Sequence, residues 1–209
     1  MVRIEEREDQ SGGRETRFLS VPIEVRSDDD GQVTVEGYAA IFGEETNVAD
    51  YFREVIVAGA FKRALSENQD VPFLINHEGL PLARTSSRTL TLSEDGKGLF
   101  VRSTLDGNDP DVQRIVPKMT RGDLSKMSFA FVAKRQEWIE DDDEIPLRRV
   151  LDCDLYDVSI VSTPQYSGTE IGLRALADYQ GEPSAANIAV RMRMDLALRE
   201  REAGNKTGA

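Results

Sequence analysis

The sequence predicts an α+β fold, mainly antiparallel β, with its strands wrapped into a small closed or partly open barrel and a few flanking helices. Three observations carry that prediction. Short runs alternating apolar and polar residues recur from residue 17 onward, turn clusters rich in Asp and Gly separate them, and only a few short stretches show helical spacing. A chain of 209 residues suits one domain with appendages, or at most two small domains.

Residues 1–16 combine dense charge with a Ser-Gly-Gly break and too little apolar surface to order themselves, which predicts a flexible N-terminal arm. The domain proper is expected over residues 17–175. It opens with "RFLSVPIEVR", a turn at "SDDDG" and then "QVTVEGYAAIF", the pattern of a hairpin. Phe61, Ala64 and Leu65 in "AGAFKRALSEN" stand at helical spacing, and "VPFLIN" follows as a buried strand that ends at His77. Two alternating runs in "RTLTLSEDGKGLFVRSTLD" form a second hairpin. Asp109 and Pro110 supply an N-cap and a first helical residue, and Pro117 is expected to kink or end the helix they open. Two further strands, "KMSFAFVAKRQEWI" and "LRRVLDCDLYDVSIVS", flank the acidic loop "EDDDEIP", which lacks the glycine and spacing of a calcium-binding loop. Residues 176–209 are expected as a C-terminal helix or tail, with Ile188, Met192 and Leu196 at roughly helical spacing.

Composition excludes several classes of function. A net charge of -12 disfavours binding to nucleic-acid phosphates. No window approaches the ~18 apolar residues of a membrane span, so no membrane role is expected. One cysteine and one histidine cannot supply a CxxC zinc site, a single cysteine cannot form an intrachain disulfide, and no cofactor is expected. A cytoplasmic setting follows.

The chemistry-bearing residues are few. Cys153 lies between Asp152 and Asp154, whose charges oppose the thiolate a nucleophile needs, so it reads as a packed thiol. His77 is the single imidazole, and a lone histidine is more often structural than catalytic. Ser128 is a hydroxyl on a strand, opposite the face of Phe129 and Phe131, and by itself reads as a solvated serine. Strand alternation puts Asp157 on the side of Cys153, Leu155 and Ser159, opposite Tyr156 and Val158, where a carboxylate wants a partner. Asn76, Glu78 and Arg84 read as strand-end or loop residues, and Trp138 and Tyr156 as packing residues.

Six segments taken in order decide between these readings. "GYAAIFG", "YFREVIVAGAFKRAL", "FLINHEGLPLARTSS", "TLTLSEDGKGLFV", "RGDLSKMSFAF" and "LYDVSIVSTPQYSGTEI" together resemble the prohead (capsid maturation) serine proteases of phages, which are similar to herpesvirus assemblin. The resemblance spans roughly residues 33–174. It implies that His77 of the "NH" block is the general base, that Ser128 of the "MSF" block is the nucleophile, and that Asp157 of "DVS" is the third member. Asp157 stands where the family usually has glutamate, Ala130 where it has glycine, and Ala58 where it has proline. Asp152 and Asp154 stay open as alternatives for the acid. Backbone amides near Ser128 are the first candidates for oxyanion donors, with Arg148 and Arg149 behind them.

The function this implies is a serine endopeptidase that acts inside the immature capsid in the bacterial host. It would cleave major capsid protein or scaffold segments, and its own termini, with a homodimer or higher oligomer as a further expectation. The rival from another class is a non-catalytic assembly or scaffolding protein. A small-substrate esterase is disfavoured because "GxSxG" is absent around Ser128.

Overall fold

A computed structural model of the chain describes residues 3–8, 13–19, 23–28, 31–48, 50–141, 144–162 and Leu176. The expected C-terminal helix lies outside the described residues, apart from Leu176.

The longest strands form the centre of the molecule. Residues Lys126–Asp141 (β11) and Glu144–Val161 (β12) pair antiparallel along most of their length. The other edge of β12 takes two short parallel strands, Phe52–Ile56 (β6) and Pro72–Ile75 (β7). Thr46–Val48 (β5) then pairs with β6, and Glu78–Arg84 (β8) pairs with β7. The free edge of β11 takes Arg3–Glu8 (β1) and Glu15–Leu19 (β2), both antiparallel. Strand pairing therefore reaches into the stretch expected as an arm, because the edge amides and carbonyls of β11 offer hydrogen bonds that composition does not reveal.

A second, four-stranded sheet holds Glu24–Ser27 (β3), Gln32–Ile41 (β4), Leu90–Glu94 (β9) and Gly98–Asp106 (β10), in the order β3-β4-β10-β9. Both expected hairpins are here. Gly98 is required where β10 meets β4, since a Cβ there would fall 1.9 Å from the Ala40 carbonyl oxygen. The first hairpin differs from its expected extent: "RFL" belongs to β2 in the large sheet, and only the later residues turn back on β4.

Apolar residues of both sheets meet in one core that includes Val35, Leu99, Val101, Phe61, Phe73, Phe129, Phe131, Val158 and Ile160. The two helices, Lys62–Ser66 (α1) and Pro110–Arg121 (α2), add Ala64 and then Val112, Ile115 and Met119 to the same core. The fold is thus mainly β with two helices among the described residues, in an eight-stranded mixed sheet and a four-stranded antiparallel one. Neither sheet's strand order closes on itself among the described residues, so the pairing is that of two open sheets rather than a closed barrel.

Pro117 neither ends nor replaces the helix: α2 runs through it to Arg121 and stops at Gly122, whose φ of 87° supplies the left-handed cap. Gln113 and Pro117 are both exposed, so water can take the carbonyl that the proline leaves without an amide.

Candidate active site

His77 sits where β7 turns back into β8. Asn76 and His77 are the two loop residues of this hairpin, with φ of 53° and 62°. Positive φ at both positions is the geometry of a type I′ turn, which matches the twist of the flanking strands, and Asn and His tolerate it better than most residues. The turn is pinned from beneath. Asn76 donates its amide to the Ile160 carbonyl at 2.9 Å, and its side-chain oxygen accepts from the Ser162 amide at 2.9 Å. The imidazole is therefore fixed over β12 rather than free at a loop tip.

Ser128 and Asp157 come to the same face through the β11–β12 register. Ser128 opposes Ser159 and Ala130 opposes Asp157, and directly opposed residues share a face. Beyond Asp157 a bulge intervenes, so that Leu155 opposes Phe131 and Cys153 opposes Ala133. Leu155 and Cys153 consequently belong to the core together with Val158, and not to the Asp157 side as uninterrupted alternation predicts.

The three side chains form a continuous hydrogen-bonded line. His77 Nδ1 lies 2.6 Å from Asp157 Oδ1, and His77 Nε2 lies 2.6 Å from Ser128 Oγ. Asp157 and Ser128 are buried, while the imidazole is about a fifth exposed, at 20%. Ser159 completes the support: its hydroxyl donates to Asp157 Oδ1 at 2.9 Å and accepts the His77 amide at 3.2 Å. Burial pushes the Asp157 carboxyl up, but the His77 hydrogen bond and charge, the Ser159 hydroxyl and the Arg14 charge outweigh it and hold the group below the usual carboxylate range.

The remaining candidates are engaged elsewhere. Asp152 receives Arg63 at 2.9 Å, and Asp154 receives Arg63 at 2.7 Å and Lys134 at 3.0 Å, so both alternative acids sit in a separate ion-pair cluster. Cys153 is buried, and burial together with the Asp152 charge pushes its thiol well above the ordinary value. Arg148 is held by Glu15 at 2.8 Å, Glu54 at 3.0 Å and Gln136 at 2.5 Å, and Arg149 pairs with Glu137. Trp138 is buried against Phe52, but Tyr156 is 43% exposed with the Arg14 guanidinium over its ring, which corrects its reading as a packing residue. Among the described residues no cluster of three or more His, Cys, Asp or Glu could hold a metal ion. No helix among them is long and apolar enough to cross a membrane.

The model of the Caudovirus prohead serine protease family matches residues 21–181. The chain belongs to that family. A curated relative, the prohead protease of Enterobacteria phage HK97, is 28% identical over 186 residues, covering 86% of this chain and 76% of the relative. A solved structure, the bacteriophage T4 capsid assembly protease gp21, aligns over 71% of this chain and 98% of its own, with a TM-score of 0.41 and 10% identity. As a member of the prohead serine protease family, the chain is a capsid maturation protease.

Two contacts at this family member's site escaped the sequence reading. Ser159 carried a signal, since it stands two residues after Asp157 and alternation places both on one face. The other is the Arg17 carbonyl, which accepts a hydrogen bond from Ser128 Oγ at 2.8 Å. Nothing in sequence marks a backbone oxygen brought in from more than a hundred residues away.

Proposed function

We propose that this maturation protease cleaves peptide bonds with Ser128 as nucleophile, His77 as general acid and base, and Asp157 as the carboxylate that orients the imidazole. The observation that carries the reading is the line Asp157 Oδ1–His77 Nδ1–Nε2–Ser128 Oγ, with both links at 2.6 Å. In the tautomer that line requires, Nδ1 keeps its proton on Asp157 and Nε2 is left to accept. Ser128 Oγ attacks the scissile carbonyl carbon as its proton passes to Nε2. The resulting imidazolium is stabilised by Asp157 and returns the proton to the leaving amine. Water then repeats the sequence on the acyl-enzyme, and the carboxylate product leaves.

The aspartate in place of the family's usual glutamate is compatible with this chemistry. The hairpin turn brings His77 down onto β12, so the shorter side chain still meets Nδ1 at 2.6 Å. The substrates are capsid-protein or scaffold segments and stretches of the chain's own termini, cut inside the assembling capsid. Confinement there raises the effective substrate concentration, so modest catalytic power suffices.

Co-expression with the capsid protein of the same genome, followed by intact mass spectrometry, tests the reading. Wild type is expected to shorten the capsid protein or itself, whereas Ser128→Ala leaves both at full length with the fold unchanged. Loss of the nucleophile of a Ser-His-Asp triad costs about 10⁶ in kcat. Equal processing by Ser128→Ala and wild type would remove Ser128 from the mechanism. Particles that assemble with no cleavage by either would favour a scaffolding role.

A further inference from the structure

We propose that the edge of β11 beside Ser128 is a docking site for an extended peptide strand, and that the chain's own residues 14–19 occupy it as a reversible, non-productive inhibitor. The proposal rests on the serine-protease reading of Ser128.

Backbone pairing is the first observation. Met127, Ser128, Phe129, Ala130 and Phe131 oppose Leu19, Phe18, Arg17, Thr16 and Glu15, so β2 takes the whole edge on which another strand beside the nucleophile would have to add.

The second observation is the proton of Ser128. A hydroxyl has a single hydrogen, and two acceptors lie within reach: His77 Nε2 at 2.6 Å and the Arg17 carbonyl at 2.8 Å. While the proton points to Arg17, His77 cannot collect it. The contact also turns the carbonyl oxygen, not the carbon, toward Ser128 Oγ, so β2 is held as an inhibitor and not as a peptide about to be cut. Arg14, from the same segment, pairs with Asp157 Oδ2 and so competes with imidazolium for the carboxylate charge.

Third, the seat is reversible by charge. Arg17 is buried between Glu15 at 2.7 Å and Glu54 at 2.6 Å, and Arg148 bonds Glu15 and Glu54 beside it. The strand contributes one acid and one base to this cluster, and β6 and β12 contribute one of each. When β2 leaves, Glu54 keeps Arg148 and Arg148 keeps Gln136, so the displacement leaves no net charge behind. One oxygen of buried Glu15 has no hydrogen-bond partner, which lowers the depth of the seat. The segment also lies outside residues 21–181, the span that the family model matches. A displacing peptide of the same kind is an extended strand with an acidic residue two positions before a basic one, matching Glu15 and Arg17.

Reaction of the full-length chain with a fluorophosphonate, followed by intact mass, tests the lock. Ser128 Oγ attacks phosphorus, fluoride leaves and His77 takes the proton, so the rate reports free nucleophile and needs no knowledge of the natural substrate. Arg14→Ala/Phe18→Ala loosens the strand. Thr16→Cys/Ala130→Cys fastens it, because directly opposed antiparallel residues have Cα separations of about 4.5–5.5 Å, within disulfide range. The loosened variant is expected to label about tenfold faster than wild type, in proportion to the fraction of open sites. The oxidised double-cysteine variant is expected to stay unlabelled until it is reduced, and the peptide RETRFL added in trans should slow the loosened variant.

Fast, equal labelling of wild type, loosened and oxidised forms overturns the lock and leaves the protease reading standing. No labelling of any folded form overturns both. Loss of residues 1–17 from wild type but not from Ser128→Ala shows β2 to be a substrate, and also overturns the inhibitor assignment.

Discussion

Asp157 and Ser159 set how firmly the imidazole is held. Asp157→Asn keeps the shape but offers Nδ1 a donor or a poorer acceptor, and should lower kcat by about 10⁴, as the same change does in a Ser-His-Asp triad. Asp157→Glu restores the family's usual residue yet adds a methylene to a fully buried site, which costs about 1–3 kcal/mol of strain and should lower activity rather than raise it. Steady-state assays on one cleaved peptide check both variants. Because the folded environment depresses Asp157, its ionised form adds stability that is complete above about pH 5 and is lost as pH falls through and below ~4. The gap in urea midpoint between wild type and Asp157→Asn should therefore close on acidification; a gap that widens below pH 4 would contradict the assignment. At this scale the sequence was informative where side chains carry the chemistry. The juxtaposition of His77, Ser128 and Asp157 was readable, because their blocks occur in the family's order. The Arg17 carbonyl was not, since every residue has one and only the strand register brings this oxygen to Ser128.

The β7–β8 turn is the element on which the geometry depends. Asn76 holds a left-handed conformation and bonds both Ile160 and Ser162. Asn76→Ala loses the side-chain bond and meets the left-handed penalty, together roughly 2 kcal/mol. Urea unfolding should show that loss, and kcat should fall with KM little changed, because the imidazole is misplaced while the peptide-binding edge is intact. Equal kcat in the variant would separate the turn from catalysis. Element boundaries were mostly legible from turn chemistry: the Asp-Gly hairpins and the Asp109 cap left local signals. The bulge between Asp157 and Leu155 was not, because alternation in one strand cannot reveal an extra residue that only the partner strand's register exposes. That α2 continues past Pro117 was not legible for a related reason, since the cost of a helical proline depends on whether the abandoned carbonyl faces water.

The whole molecule is tied through a buried charge cluster as well as through its apolar core. Arg148→Met removes a guanidinium of 0% exposure from between Glu15 and Glu54 and should destabilise the fold by about 3–5 kcal/mol, measurable as a lower urea midpoint. A loss under 1 kcal/mol would show that Arg17 alone balances both carboxylates. That mainly-β class was legible follows from local alternation. The two-sheet arrangement was not, because β1 and β2 pair with a strand more than a hundred residues later, and such partners leave no mark at short range. This separation also orders events during synthesis. β2 and His77 leave the ribosome long before Ser128, and Asp157 follows last, so the nascent chain cannot assemble the nucleophile, its base and the occupying strand until β12 is complete. A chain interrupted before residue 157 has a hydroxyl and an imidazole but no carboxylate to align them. Translation therefore delivers the inhibitor before the enzyme.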